Sequence, residues 1–193
     1  MTSLNVDMKK DIKLIVICGP SGVGKTSIAS FLVKRIWNSC FCVSHTTRKS
    51  RITEMDGIDY YFVSEDKFEQ MKSNNEFAEH AHVYGQQYGT SWDVVEEDLE
   101  DEIKILDVDY NGAEAIYSRY PDNTIVFSIL PPSIKELQTR LRLRGTDSLV
   151  TIQQRLLRIE EELEYELQVP HVEIINSDMR ETQKMVMKCL QPQ

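Results

Sequence analysis

Short apolar runs alternate along this chain with stretches whose apolar residues recur every three or four positions, which predicts strands alternating with helices. Leu14-Ile15-Val16-Ile17-Cys18 is an apolar run of five with three β-branched residues, the signature of a buried parallel strand. It ends directly in Gly19. After Thr26, residues Ile28, Phe31, Leu32 and Ile36 follow a helical spacing. A short strand is expected over 41–44 and an aromatic one over 59–63. Ser64 stands where an N-cap belongs, ahead of Phe68 and Met71 on a short helix. Asn74-Asn75-Glu76 breaks that helix. Strands follow over 77–83 and 87–90, around a Tyr84-Gly85 turn, and then a strongly acidic helix over 92–102 with a solvated face.

The second half repeats the alternation. A strand over 104–109 carries acids only at its C-terminal end and leads into a helix over 111–120. Thr124 to Leu130 is a third core strand, closed by Pro131-Pro132. Ser133-Ile134-Lys135-Glu136 and Asp178-Met179-Arg180-Glu181 are capping boxes that open two further helices. Between them lie an arginine-rich helix end at 140–148, a helix reaching about residue 167, and a last strand over 172–175. With no internal repeat and no low-complexity linker, the pattern predicts an open α/β sheet with parallel core strands.

At 193 residues the length suits one domain, and 41% hydrophobic with 27% charged residues leaves no argument for disorder. The net charge of −9 argues against general nucleic-acid or acidic-membrane binding. An acidic chain that binds phosphates must gather its cations locally, so clustered arginines carry weight. The four cysteines form no C-x-x-C pair and no zinc spacing; Cys18 is expected as a reduced thiol inside the central strand. Residues 1–11 are polar with no secretory apolar core, and no apolar run reaches membrane-spanning length, so a cytoplasmic protein is expected.

Candidate chemistry centres on Gly19-Pro20-Ser21-Gly22-Val23-Gly24-Lys25-Thr26, which fits the phosphate-loop pattern without mismatch and sits between a strand and a helix. The glycines let backbone N–H groups turn around phosphate oxygens, and the helix aims its positive dipole end at the same anion. Lys25 would reach the β- and γ-phosphates, and the Thr26 hydroxyl would ligate Mg²⁺. Arg48 and Arg51, three apart in a hydroxyl-rich loop, suit a second dianionic phosphate; alone, they read more readily as a solvated basic loop. Asp107 and Asp109 could hold metal-bound water or a substrate polar group, or cap the next helix. Arg140 and Arg144 share a helix face and Arg155 follows, which reads as a flap over phosphates or as a surface with ion pairs such as Arg158–Glu162. His80 and His82 share a strand face, but no third metal ligand has a suitable spacing nearby.

Taken in order, these pieces resemble the guanylate kinase family over nearly all of the chain beyond the first dozen residues. They are the phosphate loop, Ser44-His45-Thr46-Thr47-Arg48 with Arg51, Gly57 to Val63, Asn75 to Glu79, Tyr88-Gly89-Thr90, Ile105 to Asp109, Pro131 to Ser133, Arg140 to Asp147, and Asn176. The resemblance implies an α/β P-loop NTPase core whose parallel sheet is flanked by helices, plus a small mixed α+β GMP-binding lobe and a helical lid. One domain would span 1–193, with core about 12–43, 103–139 and 168–193, lobe about 44–102 and lid about 140–167. The activity implied is Mg²⁺-dependent transfer of the ATP γ-phosphoryl group to GMP.

By the same resemblance Gly19, Pro20, Ser21, Gly22, Val23, Gly24, Lys25, Thr26, Ser27 and Asn176 would serve ATP. Arg48, Arg51, Tyr60 and Tyr88 would hold the GMP phosphate. Ser44, Glu79, Thr90 and Asp109, with Asp107 close by, would read or brace the guanine. Lys25, Arg51, Arg140, Arg144 and Arg155 would act in the transfer. The partners implied are ATP and GMP, with dGMP as a further acceptor, for a monomer or weak homodimer without nucleic acid or membrane. The chain departs from the family pattern at Asn111, where Gln is usual, at Ser50 for Pro, and at Thr53 for Gly. Two other functions compete. Guanylate kinase-like domains of scaffold proteins bind peptides without catalysis, but typically lack an intact phosphate loop and sit beside other modules, for which 193 residues leave no room. A related kinase with another phosphate acceptor is the third reading.

Overall fold

In chain order the elements are β1 (Leu14–Cys18), α1 (Lys25–Arg35), β2 (Ser39–Phe41), β3 (His45–Thr46), β4 (Tyr61–Phe62) and α2 (Glu65–Ser73). Then come β5 (Phe77–Val83), β6 (Gln86–Ser91), α3 (Trp92–Glu96), β7 (Ile103–Asp107), α4 (Tyr110–Arg119) and β8 (Thr124–Leu130). The chain closes with α5 (Ile134–Arg144), α6 (Leu149–Glu164), β9 (Val172–Ile175) and α7 (Met179–Leu190). This is a computed structural model. It describes residues 12–83, 85–144 and 149–191, without the side chains of 83, 144, 149–152, 154 and 158.

The strands form two sheets. A five-stranded parallel sheet has the order β2-β7-β1-β8-β9, and a four-stranded mixed sheet the order β4-β3-β6-β5. β1 is buried along its whole length because it lies at the centre of the first sheet, paired to β7 and β8. Its apolar run divides between the two faces with period two. Ile15 and Ile17 pack with Ile28 and Leu32 of α1 and Val186 of α7, whereas Leu14, Val16 and Cys18 pack with Ala113 and Ile116 of α4. Each such Val, Leu or Ile side chain, fully buried, contributes about 1.5–3 kcal/mol. That two-sided layer fixes the C-terminal end of β1, where Gly19 begins.

Three expected elements change. The strand expected over 41–44 is instead the passage between the sheets. Cys42 N donates to Ile105 O at 2.9 Å, still in the first sheet, and Ser44 O accepts from Tyr61 N at 2.9 Å in the second. The aromatic strand expected over 59–63 is reduced to Tyr61–Phe62, paired parallel to β3. The acidic helix expected over 92–102 ends at Glu96, and Asp98 turns to φ +50. Like charges four apart (Glu96/Glu100, Glu97/Asp101, Asp98/Glu102) disfavour its continuation. The turn that replaces it is held from outside, with Lys13 Nζ donating to Glu100 O at 2.5 Å and Asn38 Nδ2 to Asp101 O. Among smaller differences, α6 stops at Glu164 rather than near 167.

The caps fall where the sequence puts them. Ser64 accepts from Lys67 N, and Ser133 from Glu136 N at 3.1 Å. Asp178 accepts from Arg180 N and Glu181 N at 2.9 and 3.0 Å. Asp178→Ala should therefore cost about 1 kcal/mol and lower the thermal midpoint by roughly 2–4 °C. A calorimetric scan showing no shift would mean that α7 holds by its packing alone. Among the described residues no helix is long and apolar enough to cross a membrane, and no cluster of His, Cys, Asp and Glu could hold a metal as a three-ligand group.

Candidate active site

The loop after β1 is shaped by contacts that leave no room for side chains. Gly19 has φ +130, and a Cβ there would lie 2.2 Å from Ile129 O of β8. Gly24, with φ +106, is the residue ahead of α1, and a Cβ there would press on Met179 and on the Asn176 amide. Asn176 is itself buried. Its Nδ2 donates to Val23 O at 2.7 Å, and its Oδ1 accepts from Thr182 Oγ1 at 3.0 Å. Each end of that amide makes one hydrogen bond inside the protein, so Asn176 carries the loop from beneath.

Lys25 lies over the loop, donating to Gly19 O at 2.8 Å and Pro20 O at 3.3 Å, with Asp107 Oδ1 3.7 Å away. Thr26 Oγ1 donates to Asp107 Oδ2 at 2.7 Å. Ser27 follows on an exposed position of α1. Asp107 ends β7, and so the parallel sheet delivers a carboxylate beside the loop's lysine and threonine. Asp109, two residues later, has left the strand; it caps α4, accepting from Gly112 N at 2.9 Å. Asp107 thus lies against Lys25 and Thr26, while the charges of both acids act on Glu79.

The second sheet carries a directional chain of hydroxyls. Thr90 Oγ1 donates to Glu79 Oε1 at 2.9 Å, which leaves its oxygen to accept from Ser44 Oγ at 3.0 Å. Glu79 is backed by Gly112 of α4, where a Cβ would meet its Cγ at 2.6 Å. Burial, and then the neighbouring charge of Asp109, push the Glu79 carboxyl up to about 8. After β3, Arg48 forks onto Glu54, with both nitrogen–oxygen distances at 2.9 Å. Its guanidinium also lies over the rings of Tyr60 and Phe62, at 5.4 and 5.8 Å. Tyr60 meets Tyr88 edge-on at 5.9 Å. Arg51 is looser, more than half exposed and 3.5 Å from the same carboxylate.

Of the arginines expected on the lid, Arg155 of α6 reaches the phosphate loop itself, its Nη1 donating to Ser21 Oγ at 3.2 Å. Arg140 of α5 donates to Asn176 O at 2.9 Å and Ser177 O at 3.5 Å, and pairs with Glu136. The Arg144 side chain, the turn at 145–148 and the Arg158 side of the expected Arg158–Glu162 pair lie outside the described residues. Sequence reasoning missed Glu54, Gly112 and Thr182. Only Glu54 left a signal there, a carboxylate three residues from one arginine and six from another.

A phosphate loop on the central strand of a parallel sheet, with Asp107 beside it and a second sheet carrying an arginine pair, defines a P-loop kinase acting on a small phosphorylated acceptor. The family model described as guanylate kinase matches residues 11–193, and the chain belongs to that family. It is 39% identical over 184 residues to a guanylate kinase of Prochlorococcus marinus subsp. pastoris, covering 95% of this chain and 99% of that one. With a guanylate kinase of Hydrogenovibrio crunogenus it shares 47% identity over 144 residues, 74% of this chain and 70% of the relative. The crystal structure of guanylate kinase from Anaplasma phagocytophilum superposes with a TM-score of 0.71 at 28% identity, over 95% of this chain and 86% of the other.

Proposed function

We propose that the protein transfers the γ-phosphoryl group of ATP to GMP, giving ADP and GDP, with dGMP as a further acceptor. The observation that carries this reading is the presence in one chain of an intact phosphate loop and of the Ser44–Thr90–Glu79 hydrogen-bond chain. The first suits a triphosphate. The second ends in a carboxylate that can accept from both guanine N1–H and the exocyclic amino group.

Transfer between two phosphates needs little covalent chemistry, so positioning and charge neutralisation carry it. Lys25 would move from its loop carbonyls to the β- and γ-phosphates, and Arg155 would follow the phosphates from Ser21. Arg144 would join them. Arg48 and Arg51, with the Tyr60 and Tyr88 hydroxyls, would hold the acceptor phosphate in line. That phosphate is already anionic, so no general base is required. Thr26 and Asp107 bring hard oxygen donors together at 2.7 Å, which fits a small divalent cation, and they would hold Mg²⁺. Bound there, the ion would neutralise charge on the transferred group. The mixed sheet would serve as the acceptor lobe at about 44–102, and α5–α6 as the lid at about 140–167.

A coupled assay of ADP release should show turnover with GMP and dGMP, and rates with AMP, CMP and UMP lower by roughly 10⁴ or more, because a site built on such hydrogen bonds leaves them unpaired with the wrong base. Equal turnover with AMP would overturn the acceptor assignment.

A further inference from the structure

Glu54 has no part in the roles assigned so far, yet it is the hub of the arginine pair. Its Oε1 meets Arg48 Nη2 at 2.9 Å and Arg51 Nη1 at 3.5 Å. Its Oε2 accepts from Arg48 Nη1 at 2.9 Å and from Arg51 N at 2.8 Å. Both oxygens are thus taken up by the two residues that would face the acceptor phosphate. The turn Glu54 N to Arg51 O, at 3.1 Å, ties the glutamate back to the same loop. Arg48 is held on every side. Besides the fork it donates to Lys49 O at 2.8 Å and lies over Tyr60 and Phe62.

The charge sum runs against a simple binding role. Two guanidinium groups would present two positive charges to a dianionic phosphate, and Glu54 cancels one of them. A site selected for acceptor affinity alone would leave both. What the carboxylate supplies instead is a single orientation for Arg48, since a bidentate guanidinium–carboxylate pair is planar and directional. Arg51, over half exposed and in only the longer contact, keeps its freedom to turn to a ligand.

We infer that Glu54 is a positioning residue that fixes Arg48 for in-line transfer and does so at the expense of acceptor affinity. This rests on the GMP reading above. The split it implies is unusual. Uniform binding of the acceptor gains nothing at saturation, whereas misplacing a reactant by about 1 Å can cost on the order of 10²-fold in rate.

Glu54→Gln keeps the shape and removes the charge. Its kcat should fall by roughly 10- to 100-fold, while the Kd for GMP, titrated calorimetrically without ATP, stays level or tightens with a steeper salt dependence. Glu54→Asp keeps the charge but is too short for the fork, so it should lose kcat with Kd unchanged. Wild-type kcat in Glu54→Gln, or a Kd that weakens as much as kcat falls, would overturn the inference and leave Glu54 as a binding or folding residue. Failure of the wild type to use GMP would instead remove the acceptor assignment. The role of Glu54 then reads from inorganic phosphate as probe: level or tighter binding in Glu54→Gln supports it, and weaker binding overturns it.

Discussion

Lys25→Ala is expected to cut phosphoryl transfer by about 10³-fold or more, the scale on which preorganised charge at a developing anion acts, while leaving the fold in place. The geometry explains both halves. Without nucleotide the ammonium is parked on Gly19 O and Pro20 O, with Asp107 3.7 Å away. None of these partners depends on it for folding, because the loop is carried by Asn176 and by the approach of Gly19 to β8. Alanine also leaves Asp107 its hydrogen bond from Thr26. The thermal midpoint should therefore move by no more than about 2–4 °C, equivalent to roughly 1 kcal/mol in a chain of this size. Near wild-type turnover at unchanged stability would show that the loop does not carry the donor phosphates.

Glu79→Gln should remove most GMP activity and much of the preference over AMP, and it should also remove a pH dependence that the wild type shows. Guanine offers two adjacent donors, and a carboxylate can accept both, whereas the amide has one acceptor atom. In the free protein the Glu79 carboxyl is raised to about 8 by burial and by Asp109, so at pH 7 it is mostly protonated. Binding guanine through the ionised form must then release a proton. Affinity for GMP should accordingly rise by roughly tenfold from pH 7 to pH 8.5 and level off above, as the fraction ionised grows. The sign for stability is opposite. The folded-state value lies above the unfolded one of 4.5, so the neutral folded form is favoured at low pH, and this stabilisation is lost as pH rises through about 8. Glu79→Gln, which cannot ionise, should be more stable than wild type at pH 8.5 and should bind GMP weakly at every pH. Calorimetric titration in buffers of different ionisation enthalpy counts the proton directly. No release at pH 7 would mean that guanine is read without ionising Glu79.

The central strand and phosphate loop were legible because neighbours in sequence carry them: an apolar run, a glycine-rich turn and a helical period follow each other without interruption from Leu14 to Ile36. The caps at Ser64, Ser133 and Asp178 were legible for the same local reason. The acidic stretch after Trp92 misled, since its polar pattern suits a helix until the like charges four apart are weighed. Asp107 and Asp109 share a parity that would place them on one strand face, but the strand ends between them, and the second becomes a cap. Gly112 gave no sign at all. Its need is tertiary, a Glu79 side chain lying where a Cβ would go, and no local pattern encodes a neighbour on another element.

The hydrogen bond from Asn176 to Val23 joins residues 153 positions apart. β1 likewise has no strand partner before β7 and β8. During synthesis, then, the nucleotide-binding loop emerges early but stays unfinished. Its flanking strand waits for residues up to 130, and its underlying amide for Asn176 and Thr182. A nascent chain halted between Thr26 and α7 carries the whole phosphate-loop motif yet lacks the support that shapes it, so nucleotide affinity should arise in one late step, once α7 has emerged.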